Sequence, residues 1–223
     1  MNHRATSTLL VLALLSPACR PDLTQDFTET FLITDPVDRF EIVVDRGSLL
    51  ATSYDLPVVK VKRHTFGWAS SIGTADYTLE DGVYSFEAHC DSRVDECTWD
   101  HLLEVPSGID FDLTMTEALI DVGDLDGDFT AEFEIGEVRG HQLRTANFSL
   151  TGDAATVDVD FAAPPTSLKI QLDDGEVFIT VPTGAYRCDF AGDPEVSGIT
   201  CDDAAAATLD LDVGAGSLTI AGE

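Results

Sequence analysis

"ALIDVGDLDGDFTAEF", residues 118–133, places four aspartates in eight positions with glycines between them. Two readings compete: a calcium loop, or the corner between two β-strands. An EF-hand loop takes oxygen ligands at positions 1, 3 and 5, glycine at 6 and glutamate at 12. Counted from Asp124, the aspartates fall correctly, but glycine comes early as Gly127 and position 12 is Ile135. The strand reading accounts for more. Ile120 and Val122 close one alternating run, Asp126-Gly127 turns the chain, and Phe129, Ala131 and Phe133 open the next. Asp121, Asp124, Asp126 and Asp128 stay as calcium candidates, because clustered carboxylates repel one another unless a cation intervenes. No metal or other cofactor is expected.

The same alternation runs through the chain on either side. "RFEIVV" places Phe40, Ile42 and Val44 on one face, and "IDFDLTM" does so for Ile109, Phe111, Leu113 and Met115. "YTLEDGVYSFEAHC" makes two short strands around Asp81-Gly82. No window holds apolar residues at helical spacing, so the fold class is all-β. Residues 103–223 are the most regular, with turn glycines at Gly127, Gly136, Gly175 and Gly216 each leading into an alternating run. Such units build either hairpins of an antiparallel β-sandwich or corners of a β-solenoid. Alternation alone leaves both open.

Composition narrows the partners. Twelve Lys+Arg stand against 41 Asp+Glu, a net charge of −29, which repels phosphate backbones and argues against nucleic acid. The chain opens "MNHRATSTLLVLALLSPACRPD". Leu9 to Leu15 is apolar but too short for a permanent span, and Ser16 and Ala18 precede Cys19. This is similar to the lipobox of bacterial lipoproteins, except that Ser16 stands where leucine is usual. Cleavage after Ala18 by an ordinary signal peptidase is the alternative. A lone cysteine at the cleavage point favours the lipoprotein: residues 1–18 a signal, Cys19 acylated, 19–36 a tether ending in a first strand, and 37–223 the β body. Arg20 after that cysteine, and not aspartate, would permit passage to the outer membrane. The membrane is then one expected partner, and the location is extracytoplasmic.

Four cysteines remain, in two close pairs, and exported chains oxidise such pairs: Cys90 with Cys97, and Cys188 with Cys201. A zinc site from His89, Cys90, Cys97 and His101 is the sharper alternative, at spacing wider than zinc favours. No serine elbow, zinc helix or phosphate loop occurs. The basic cluster "KVKRH", Lys60 to His64, reverses the charge locally and is expected to pair with acidic neighbours.

"LEVPSGIDFDLTMTEALIDVGDLDG", "GEVRG", "PPTSLKIQLDDGEVFITVPTGAY" and "GAGSLTIAG" together resemble the bacterial "putative adhesin" domain of unknown function. The likeness covers roughly residues 100–223. It implies a β-helix-like fold and an envelope location, with no defined activity. The expectation is a β-solenoid on a non-catalytic envelope lipoprotein that binds a protein or glycan, or serves structurally. An exported carbohydrate-active hydrolase on a β-helix is the alternative, since such folds host carboxylate pairs.

Overall fold

The structure is a computed structural model that describes residues 24–55, 57–68, 72–90 and 97–223. Cys19 and the signal segment 1–18 lie outside them. The described residues hold fourteen strands and no helix: β1 (Thr24–Ile33), β2 (Arg39–Ser53), β3 (Val59–Trp68), β4 (Ile72–Glu80), β5 (Val83–Cys90), β6 (Cys97–Val105), β7 (Asp110–Gly123), β8 (Phe129–Leu143), β9 (Asn147–Phe161), β10 (Ser167–Val181), β11 (Ala185–Ala191), β12 (Glu195–Ser197), β13 (Thr200–Cys201) and β14 (Thr208–Gly222). The segment 19–36 therefore contributes a ten-residue strand to the sheet, from Thr24 onward.

Strands β2, β7, β8, β9, β10 and β14 stack in that order as parallel, in-register neighbours. The register skips one residue per strand, at Asp45, Thr116, Glu134, Asp153, Asp173 and Gly214. Burial gives the reason. Phe111, Leu113 and Met115 point inward before the skip, and Ala118, Ile120 and Val122 after it. Side chains alternate strictly along a strand, so a slip of one residue keeps both halves inward only where the chain bends. Each strand is thus two arms joined by a bend. The arms close on each other: Phe148 meets Phe161 of the same strand with ring centroids 5.6 Å apart. This is a β-solenoid, one rung per strand. Antiparallel pairing is confined to β1–β3, β3–β6 and β4–β5 at the amino-terminal end, which sets the sandwich aside.

An aromatic file runs through the core along the first arms. Tyr84, Phe40, Phe111, Phe129 and Phe148 follow one another at 5.2, 5.5, 6.2 and 5.1 Å between centroids. Leu168 and Leu209 continue the file toward the carboxy terminus. Each ring in such a stack adds about 0.5–1.5 kcal/mol beyond its area burial. Two residues past the bend, Gly47, Ala118, Gly136, Ala155, Gly175 and Gly216 stand in register. A Cβ on Gly175 would stand 2.1 Å from the Ala155 carbonyl oxygen, so the backbones of adjacent rungs touch here. Gly127 does not belong to this file. It sits in the corner between rungs, where a Cβ would meet the Ile109 carbonyl at 2.1 Å.

The two ends differ. At the amino-terminal end β5 and β6 form a rung on β2, split by the segment that the Cys90–Cys97 disulfide closes. Beyond it, β4 covers β5, β3 covers β6, and β1 covers β3. At the carboxy-terminal end β14 slots between β10 and a short cap of β11 and β12, with β13 beside β11. The Cys188–Cys201 disulfide fastens that cap. Two disulfides belong to an extracytoplasmic protein.

Candidate functional site

The opening aspartates resolve into staples between rungs. Asp126 accepts from the Gly108 N–H at 2.6 Å, and Asp110 accepts from the Asp128 N–H at 2.8 Å. Asp128 in turn accepts from the Asn147 side-chain amide at 2.9 and 3.0 Å. Asp160 accepts from the Gln142 N–H at 3.0 Å and its side-chain amide at 2.9 Å. Partners are 18 or 19 residues apart, one rung, so each carboxylate satisfies an N–H that the corner leaves without a sheet partner. Asp124 holds a left-handed backbone (φ 55°) at the corner, and Asp121 faces outward on a second arm. The four point in different directions, and no group of three metal-binding side chains occurs among the described residues.

The cysteines are committed as well. Cys90 and Cys97 are joined to each other, and Cys188 to Cys201, so the zinc alternative loses its thiolates. His101 is 2% exposed, and burial pushes its pKa down to about 4, which keeps it neutral. It meets the Phe86 ring at 4.5 Å and forms part of the core. His89 lies outside, between Asp45 at 3.3 Å and Glu87 at 3.0 Å. Its hydrogen bonds to those carboxylates, Glu87 first, raise its pKa. The "KVKRH" cluster is paired: Lys60 with Glu104 at 2.9 Å, Arg63 with Glu29, and His64 with Asp26 and Asp100.

Near His64 stands a constellation that sequence spacing did not reveal. The Ser48 hydroxyl donates to Asp100 at 2.8 Å, and Asp100 also faces His64 Nδ1 at 3.2 Å. The carboxylate therefore sits between serine and histidine. A hydrolytic triad needs the imidazole in the middle, where it can take the hydroxyl proton. Here it cannot, and Ser48, Asp100 and His64, with Asp26 on the other ring nitrogen, instead lace β2, β6, β3 and β1 together.

The strongest candidate for a binding site is a groove of about 640 Å³ along the bend between the arms. Its walls carry Asp45, Glu132, Glu134, Asp153, Asp173 and Asp212, with Thr114, Thr116, Thr151 and Gln171 among them. Glu134, Asp153 and Asp173 occupy the bend itself on three successive rungs. Rungs are about 4.8 Å apart, so six of them give a track roughly 24 Å long. Its aromatic ring, Phe133, is buried beneath the surface at 4% exposure. Sequence reading missed this site because its acids lie in unrelated stretches, and only the register brings them into file.

No family model matches the chain, and no curated protein matches it. Among solved structures it is similar to a putative cell adhesion protein from Clostridium sporogenes, at 12% identity and a TM-score of 0.43. That match covers 89% of this chain and all of the other. A putative adhesin from Parabacteroides distasonis matches at 8% identity and TM-score 0.29, covering 89% of this chain and 97% of that one. One from Parabacteroides merdae matches at 11% and 0.27, covering 88% and 96%. Likeness at this level carries no conclusion about the present chain.

Proposed function

We propose that this chain is a non-catalytic, lipid-anchored binding body of the bacterial cell envelope, whose acidic bend groove holds an extended cationic partner. The observation that carries the reading is the set of carboxylates lining the groove, with Glu134, Asp153 and Asp173 in file at the bend of three successive rungs. Charges fixed at rung spacing by a rigid stack act together, so a linear partner with spaced cations matches several of them at once. Glu134, Asp153 and Asp173 stand in file along one line of the stack. Glycosidase chemistry needs two acids on opposite sides of the scissile bond. The disulfides suit an exported body, and Cys19 supplies the anchor, with Arg20 after it permitting passage to the outer membrane.

Titration of the protein with an extended lysine-rich peptide tests the groove. Binding at low salt that weakens steeply with ionic strength, and falls in Glu134→Gln/Asp153→Asn, supports the reading. Equal binding by wild type and double variant overturns it. A hydrolase screen over polysaccharides, esters and peptides addresses catalysis: turnover lost with one carboxylate pair would establish an enzyme. Fatty-acid labelling absent from both wild type and Cys19→Ala would remove the anchor.

A further inference from the structure

The amino-terminal end of the solenoid is half a rung short. In β1 the core-facing positions are Phe27, Glu29, Phe31 and Ile33, opposite Thr65, Arg63, Val61 and Val59 of β3. Phe27 is nevertheless 59% exposed, and Tyr77, core-facing on β4 opposite Phe86, is 61% exposed. One strand further in, Tyr84 and Phe86 are 2% and 0% exposed. The cause is topological. Strand β1 extends one layer past β3, and among the described residues nothing extends the facing layer past β4. Two unpaired strand edges therefore flank a cleft of about 280 Å³ lined by Phe31, Ile33, Tyr77, Leu79 and Tyr84.

We infer that a second copy of this chain completes the rung: the partner's β1 lies along β4, and this β1 lies along the partner's β4. A two-fold axis parallel to the strands exchanges the two layers and inverts the stacking direction. It thereby sets each lone arm over the other's missing one, which is an isologous, self-closing contact. The lengths agree, ten residues in β1 against nine in β4. Directions agree also. Strand β5 runs toward the bend with the first arm of β2, and β4 opposes it. Strand β6 runs away with the second arm, and β3 and then β1 each reverse. Both β1 and β4 therefore run away from the bend and would pair in parallel. The same axis brings both Thr24 ends out on one side of the dimer.

Strands β1 and β4 carry Asp26, Glu29, Asp76 and Glu80 and no Lys or Arg, so the contact rests on apolar side chains and backbone edges and works against a like-charge repulsion that salt screens. The contact would bury the exposed rings of Phe27 and Tyr77, and edge N–H and C=O groups would gain partners. Arg63 Nη1 and the Tyr84 hydroxyl, buried behind this end and lacking hydrogen-bond partners, would be sealed further from water.

Sedimentation equilibrium of the full chain carrying Cys19→Ser tests this without detergent. The expected result is a dimer whose association strengthens with salt, because the net charge of −29 opposes it. Tyr77→Lys should raise the dissociation constant at least about tenfold, as for loss of a central aromatic anchor. Tyr77 also stacks on Tyr84 at 6.5 Å and lies under the Arg63 guanidinium at 5.4 Å, so association of this variant is read under conditions where circular dichroism shows it folded. Phe27→Lys is the independent variant on the other edge. In the wild-type dimer, amides of β4 that face away from β5 should gain concentration-dependent hydrogen-exchange protection. A monomer at every concentration overturns the inference, as does a dimer indifferent to both substitutions. A monomer that binds phosphatidylcholine vesicles through Phe27 and Tyr77 would reassign this end to the membrane and equally overturn the dimer.

Discussion

Phe129 and Phe148 stack with centroids 5.1 Å apart and planes 14° from parallel, each on its own rung and each preceded by a residue of the inter-rung staple. Packing and hydrogen bonding thus fall on consecutive residues, Asp128-Phe129 and Asn147-Phe148. Phe129→Ala should cost about 3–5 kcal/mol, since it empties the middle of the file. Phe129→Leu, which copies Leu168 two rungs on, should cost much less. Urea unfolding of the two variants checks the contrast. Equal losses would show that the file is not a packed unit.

His64 sets a pH dependence near neutrality. Both ring nitrogens face carboxylates, Asp26 at 2.9 Å and Asp100 at 3.2 Å, and both contacts are satisfied as donors only by the imidazolium. Its pKa is raised, first by the hydrogen bond to Asp26 and then by that to Asp100. The folded value lies above the unfolded one, so this contribution is fully present below about pH 6.5 and is lost as pH rises through the folded pKa. The pair is partly solvated, so the effect is at most about 1 kcal/mol. Hydrogen exchange in β1 should accelerate beyond its intrinsic pH trend toward alkaline pH, and His64→Gln should flatten that excess.

His101 acts in the opposite direction. Its folded pKa, about 4, lies below the unfolded value, so the unfolded chain takes up a proton first as pH falls. Stability is lost between about pH 6.5 and pH 4, on the order of 3 kcal/mol. Register places His101 in file with Leu49 and Ile120. His101→Leu should therefore reduce acid sensitivity in that window, read from melting temperatures at pH 4.5 and pH 7, which lie inside and above it. An unchanged slope would refute the assignment.

Gly175→Ala should destabilise by about 2 kcal/mol or more, because the new methyl meets a backbone carbonyl that cannot move aside. Gly123→Ala is the control. Its Cβ would find the Thr52 methyl at 3.7 Å, an ordinary contact, so little change is expected. Similar losses at both sites would point to a general glycine requirement in place of backbone contact between rungs at Gly175.

In the groove, neutralising neighbours in the acid file should stabilise the free protein. Glu134→Gln/Asp153→Asn should raise the melting temperature at low ionic strength, with the gain shrinking as salt screens the repulsion. A gain independent of salt would mean that the two carboxylates do not repel across the rungs.

The alternation around Phe111 and Phe129 specified strands because burial on one face leaves a period of two, and that period is local. Parallel pairing was not legible in it. A hairpin turn and a rung corner can both be written Asp-Gly: Asp81-Gly82 joins antiparallel β4 and β5, while Asp126-Gly127 leads from one parallel rung to the next. A longer signal was present, the Asp-Phe or Asn-Phe pair at Phe111, Phe129 and Phe148, whose rung spacing gives the register directly. Groove and dimer face were hidden for another reason. Glu134, Asp153 and Asp173 lie on separate strands and become neighbours by stacking, and the exposure of Phe27 and Tyr77 depends on a rung that has one arm.

The carboxy-terminal cap has a consequence for growth. A stack of parallel rungs is a template, and a bare edge at each end would let copies add without limit into a fibre. Strands β11 and β12, of seven and three residues, with Cys188–Cys201 tying β11 to β13, make one end a poor template. Elongation therefore has a terminator written into the chain. With one end terminated and the other self-complementary, assembly is a counting device that stops at two.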